Sequence, residues 1–110
     1  MQITQKIIPK SLWGLKCPHS MIPEYITIHE TANDASARNE VNYMQGNQKE
    51  VSFHFAVDDK QIIQGLPLDR NAWHAGDGSE GTGNRKSIAI EICYSKYGGA
   101  LYEQARKNAV

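Results

Sequence analysis

Cysteine is scarce in this 110-residue chain. There are two, Cys17 and Cys93, far apart in sequence. Two distant thiols make no disulfide framework, so both are expected free and reduced. Net charge is also missing, because twelve basic and twelve acidic residues cancel. A chain without a basic stripe lacks the footprint of a nucleic-acid binder, and no such partner is expected. No apolar run reaches the roughly twenty residues needed to span a bilayer, so no membrane partner is expected either. The first residues, Met1-Gln-Ile-Thr-Gln-Lys6, lack the apolar core of a secretion signal, which suggests a chain made in the cytoplasm. Internal repeats, linkers and low-complexity segments are absent. The length suits one small domain, 1–110.

What the chain does contain is alternation. Tyr25 to His29 places Ile26 and Ile28 on one face and Tyr25, Thr27 and His29 on the other, the period of a strand. Ser36 or Asp34 can cap a helix over 36–47, with Ala37, Val41 and Met44 at helical spacing. Val51 to Val57 alternates again and, with Lys60 to Gln64, predicts a β-hairpin over 51–64. Residues 66–83 read as a loop carrying Gly76, Gly78, Gly81 and Gly83. It lacks the Lys-Ser/Thr ending of a phosphate loop and leads toward a strand, so its expected use is to shape a groove. Ser87 to Cys93 alternates once more, with Ile88, Ile90 and Ile92 opposite Ser87, Ala89, Glu91 and Cys93. Residues 1–24, punctuated by Pro9, Gly14, Pro18 and Pro23, read as an irregular entry segment. Helical spacing of Leu101, Ala105 and Ala109 runs to the last residue with no stop signal after it. That pattern reads as a helix cut in its course and a domain incomplete at its C-terminus.

The residues able to carry chemistry are His29, His54, His74 and Glu91. His29 ends a strand where the chain opens into the polar run Glu30-Thr-Ala-Asn-Asp34, rigid yet reachable, as a metal ligand or base must be. Glu91 is a carboxylate inside an apolar strand, costly unless paired, solvated in a cleft or protonated. Three histidines and a glutamate on separate segments could make a zinc site with a general base, but equally a set of ordinary satisfied side chains. No His-Glu-x-x-His pair supports the first reading. Cys17-Pro-His19 is too tightly spaced for a usual zinc site, and Cys93 inside a strand reads as a small buried residue.

Several blocks together resemble one family. Tyr25-Ile-Thr-Ile-His-Glu-Thr31, Asn39-Glu-Val-Asn-Tyr-Met44, Val51-Ser-Phe-His-Phe-Ala-Val-Asp-Asp59, Ala72-Trp-His-Ala-Gly-Asp-Gly78 and Asn84-Arg-Lys-Ser-Ile-Ala-Ile-Glu-Ile92 are similar, in order, to the zinc-dependent N-acetylmuramoyl-L-alanine amidases of type 2. The likeness is greatest to phage and prophage endolysin catalytic domains, which share their fold with peptidoglycan recognition proteins. The resemblance implies an α/β (α+β) fold, a mixed central sheet flanked by helices with a groove along one side. It implies hydrolysis of the amide between N-acetylmuramic acid and L-alanine in cell-wall peptidoglycan, reached after release from the cell. It also implies roles: His29 as the first zinc ligand and Glu91 as the acidic residue assisting the zinc-bound water. His74 is a candidate for the substrate groove. Phe53 stands where some relatives carry a catalytic Tyr, so Glu91 acts without that hydroxyl, and His54 is expected to be structural.

By the same resemblance, two further zinc ligands, a His and a Cys or Asp, lie beyond Val110. The chain then corresponds to about the N-terminal two-thirds of a catalytic domain, with no wall-binding domain and an incomplete zinc site. Two expectations follow. Either the chain represents an amidase catalytic domain, cut short or completed by another segment, or it is a catalytically silent remnant that still binds peptidoglycan or a partner chain. An exposed, truncated sheet edge would favour self-association.

Overall fold

The fold is described from a computed structural model covering residues 1–110. Five strands form one sheet: β1 (Ile3–Gln5), β2 (Tyr25–Glu30), β3 (Phe55–Val57), β4 (Ile62–Gln64) and β5 (Ser87–Ile92). Their order across the sheet is β1-β4-β3-β5-β2. Only β3 and β4 run antiparallel, as a hairpin; the other neighbours are parallel. Four helices accompany it: α1 (Trp13–Lys16), α2 (Ala37–Gly46), α3 (Thr82–Lys86) and α4 (Ala100–Asn108). This is the mixed sheet with flanking helices expected from the sequence. No helix is long and apolar enough to cross a membrane.

Helix α2 begins where its cap predicts. Ser36 is extended and its side chain accepts from the Asn39 amide at 3.2 Å. That satisfies one of the unpaired donors of the first turn, a contribution of about 1 kcal/mol. Asp58 holds a second donor, accepting from the Ala37 amide at 2.9 Å while its other oxygen closes the β3–β4 turn through Lys60 and Gln61. The helix buries Ala37, Val41 and Met44 against Ala56, Ile63 and Ala89 of the sheet. Burying Val41 and Met44 stabilises the contact by about 1.5–3 kcal/mol each.

Several sequence expectations need correction. The entry segment is not wholly irregular, since β1 joins the sheet and a 3-10 turn at Lys10–Leu12 runs into α1. Pairing with β4 makes β1 a strand, and so distant a partner leaves no local signal. Strand β3 is shorter than 51–57 because His54 breaks the alternation. The His54 Nδ1 accepts from the Ala89 amide at 3.0 Å and its Nε2–H donates to the Arg70 carbonyl at 2.8 Å. A ring inserted into the ladder ends regular pairing there. Phe53 therefore joins the core with Ala56 rather than sharing the face of Phe55. The glycine-rich loop does not lead straight into a strand: Gly81 opens the short α3. The burial of the two faces of β2 and β5, on which the sequence pattern was silent, favours the small residues. Ser87 is buried against Thr27 and Ala89 is buried in the core cluster with Val41 and Met44, whereas Ile26 and Ile28 are 67% and 50% exposed.

Candidate active site

The register of the sheet sets the geometry. His29 lies opposite Glu91 in the β2–β5 pair, and Ala56 lies opposite Glu91 in the β3–β5 pair. Side chains opposite one another in adjacent strands share a face. His29, Glu91 and Ala56 therefore stand in one row across three strands, and Ala56 contributes no bulk beside the carboxylate.

His74 arrives from outside the sheet. Its Nδ1 is 2.9 Å from Nε2 of His29, with the two rings edge to face. The segment carrying it is fixed at several points. Ser52 exchanges two bonds with Trp73, one through its amide and one through its hydroxyl, at 2.8 and 2.9 Å. Asn84, 3% exposed, accepts from the amides of both His74 and Ala75 at 2.9 Å and donates to the Gly78 carbonyl at 3.0 Å. Asp77 in turn accepts from the amides of Gly83 and Asn84. Here the glycine at 83 has a specific reason. A Cβ there would lie 2.4 Å from the Ala75 side chain, so the loop could not close onto α3. These glycines admit close backbone approach.

Electrostatics separates the site residues. Burial lifts the Glu91 carboxyl to about 7, and the Glu40 carboxylate adds to the effect. The ion pairs of the chain are Lys86–Glu24 and Arg106–Glu103, so Glu91 has no cationic partner. Burial depresses the His74 imidazole, and the neighbouring His29 depresses it further. Its Nε2 is buried with no hydrogen-bond partner. His54, the third candidate, belongs elsewhere. It is fully buried, both its nitrogens are used in the fold, and burial depresses it to about 4.

Two hollows meet at Val51 beside this row. One, of about 270 Å³, is bordered by Glu91, Glu40, Asn33 and Lys49; the other, of about 350 Å³, by His74, Trp73, Gly78 and Ser79. A carboxyl titrating near neutrality at a groove can take up and return a proton at physiological pH. Metal binding is a different matter. Catalytic zinc takes three protein ligands. His29 has the right chemistry for one, and His74 could offer a second nitrogen. No group of three His, Cys, Asp or Glu side chains converges here, so these residues do not complete a zinc site.

Of the residues singled out in the sequence, the fold sets His29 in register with Glu91 and brings His74 into contact with His29. Sequence reading had missed Asn84, Ser52, Asp77 and Glu40. Asp77-Gly78 carried a turn signal; the others act through contacts distant in sequence and had none.

Comparison with known proteins adds an independent finding. The Amidase_2 family model, described as N-acetylmuramoyl-L-alanine amidase, matches residues 19–110. The chain is 62% identical over 110 residues to the N-acetylmuramoyl-L-alanine amidase CwlA of Bacillus subtilis strain 168, covering all of this chain and 40% of that protein. It is 60% identical over 108 residues to XlyB of the same organism, covering 98% of this chain and 34% of that one. The chain thus spans well under half the length of these relatives. Among solved structures, that of PlyL superposes with a TM-score of 0.97 at 60% identity, over 99% of this chain and 68% of that one. The PlyG catalytic domain superposes with a TM-score of 0.95, also at 60% identity, over 99% and 66%.

Proposed function

This chain belongs to the N-acetylmuramoyl-L-alanine amidase family, and from that premise we propose that it is the groove-bearing part of a peptidoglycan amidase. The bond cut would be the amide joining the lactyl group of N-acetylmuramic acid to L-alanine. The observation that carries this reading is the strand register that sets His29 beside Glu91, with Glu91 lining a surface hollow, held near neutrality and in no ion pair. Glu91 would accept a proton from the attacking water as the oxygen–carbon bond forms. It would then give that proton to the alanine nitrogen as the carbon–nitrogen bond breaks, leaving a free carboxyl and a free amine. His74, kept uncharged by burial, would border the substrate.

In the same reading His29 supplies one ligand to a zinc ion whose other ligands lie outside residues 1–110. Zinc, when bound, would polarise the amide and make hydroxide available near neutral pH. The chain would be about two-thirds of the catalytic domain, in keeping with the 68% and 66% coverage of the PlyL and PlyG chains. The free outer edge of β2, beside exposed Ile26 and Ile28, supports association between two copies of this chain.

The test is digestion of purified bacterial cell walls, in zinc-containing buffer, by this sequence extended at its C-terminus to supply the remaining ligands, as in its longer relatives; the 110-residue chain alone is expected to act poorly. New alanine amino termini without new reducing sugar ends are expected, and Glu91→Gln should slow their release about 10²–10⁴-fold. Release of reducing ends, or no release at all, would overturn the reading.

A further inference from the structure

The two hollows that meet at Val51 differ in charge. The one at His74 is bordered by Trp73, Gly76, Gly78 and Ser79, with the single charge of Glu50 at its rim. The one at Glu91 carries Glu40, Glu91, Glu30 and one cation, Lys49. N-acetylated sugars are neutral, whereas the stem peptide carries carboxylates and, farther on, amines. Charge therefore distinguishes the two ends of the groove.

Lys49 differs from an ordinary surface lysine because its backbone is pinned on both sides. Its amide donates to Asn47 Oδ1 at 2.9 Å. Its carbonyl accepts from the ammonium of Lys16, which is fully buried and also donates to Asn47 Oδ1 at 2.8 Å and to the Val51 carbonyl at 3.1 Å. A buried cation satisfied by three oxygens of one short loop fixes that loop strongly, because removing it would strand those acceptors. The Lys49 side chain lies across Tyr43, with Nζ 5.7 Å from the ring centroid and 3.2 Å from the hydroxyl. It pairs with no carboxylate of the chain. A prepositioned and unpaired ammonium loses little entropy on binding an anion.

We propose that the Glu91 hollow holds the stem peptide, with Lys49 reading the carboxylate of the residue after L-alanine, and that the His74 hollow holds the glycan. This rests on the amidase reading and assigns the direction in which substrate lies. Lys49 is then a specificity residue, and amidation of that carboxylate is the chemical change it senses.

The experiment measures binding of two soluble muramoyl dipeptides to the 110-residue chain. One carries D-glutamate after L-alanine; the other carries D-isoglutamine, its α-carboxylate amidated. The parent should prefer the carboxylate form about tenfold, as a charge-assisted hydrogen bond implies. Lys49→Gln should abolish the preference and Lys49→Arg should keep it. Extending the glycan by one sugar should tighten binding in the parent, and Ser79→Trp should remove that gain without touching the carboxylate preference. If both forms bind equally to the parent, or Lys49→Gln retains the preference, the Lys49 assignment fails while the wall-binding reading stands. If Ser79→Trp removes the carboxylate preference instead, the assigned direction is wrong. Binding of neither form overturns the assignment and leaves the amidase reading to the cell-wall digestion.

Discussion

Replacing Glu91 with Gln should make the protein more stable at pH 7.5 and hardly change it at pH 4.5. Glu91 titrates near 7 in the folded chain because burial and Glu40 disfavour its charge, against an ordinary value of 4.5. Between those values the folded state binds more protons than the unfolded state, so stability falls as pH rises through the window. A shift of that size corresponds to about 3 kcal/mol. Screening of this partly exposed group reduces the figure to about 2 kcal/mol. His54 slopes the other way. It sits near 4 when folded and 6.5 when free, so the unfolded state takes the proton first and stability falls as pH drops from 6.5 toward 4. That term is about 3 kcal/mol. In the parent the two slopes largely cancel between pH 4.5 and 6.5. The Gln variant removes one and exposes the other. Urea unfolding of both proteins at pH 7.5 and 4.5 measures the difference directly, since the remaining carboxylates contribute equally to both. A gain of about 2 kcal/mol at pH 7.5, vanishing at pH 4.5, is expected. An equal gain at both pH values, or a loss at pH 7.5, would refute the account of Glu91 as a buried, unpaired carboxyl.

Asn84→Ala should cost about 2–4 kcal/mol in thermal or urea unfolding, because it leaves the His74 and Ala75 amides without their acceptor. Association through β2 should appear as a concentration-dependent mass in light scattering, and Ile28→Lys should restore a monomer. A monomer in the parent at all concentrations would remove that proposal.

How much of this could be read from residues alone depended on where each signal resides. Strands β2 and β5 were legible because alternation is local, and helix α2 because its cap and apolar spacing are local. Alternation also fixed Glu91 and His29 on definite faces. It could not say that those faces lie in register, since that depends on β5 pairing beside β2 sixty residues away. Strand β3 misled because His54 has the spacing of a strand residue but puts its ring into the ladder. Which face of β2 and β5 is the more deeply buried was not legible, because hydrophobicity marks a face only as able to be buried and packing decides the rest. Asn84 carried no signal, because its work is done entirely by hydrogen bonds to a loop that the sequence leaves without regular structure.

The position of β2 has a consequence for how the site would be lost. His29 rides on the outermost strand, bonded on one side only, while Glu91 rides on β5, bonded on both. Outer strands open with less free energy than inner ones. A transient peeling of β2 would carry the imidazole away from the carboxylate while the hairpin, α2 and the His54 strut stayed folded. The groove is thus assembled from parts with different lifetimes, and amide exchange along Tyr25–Glu30 would time the site more closely than any global melting temperature.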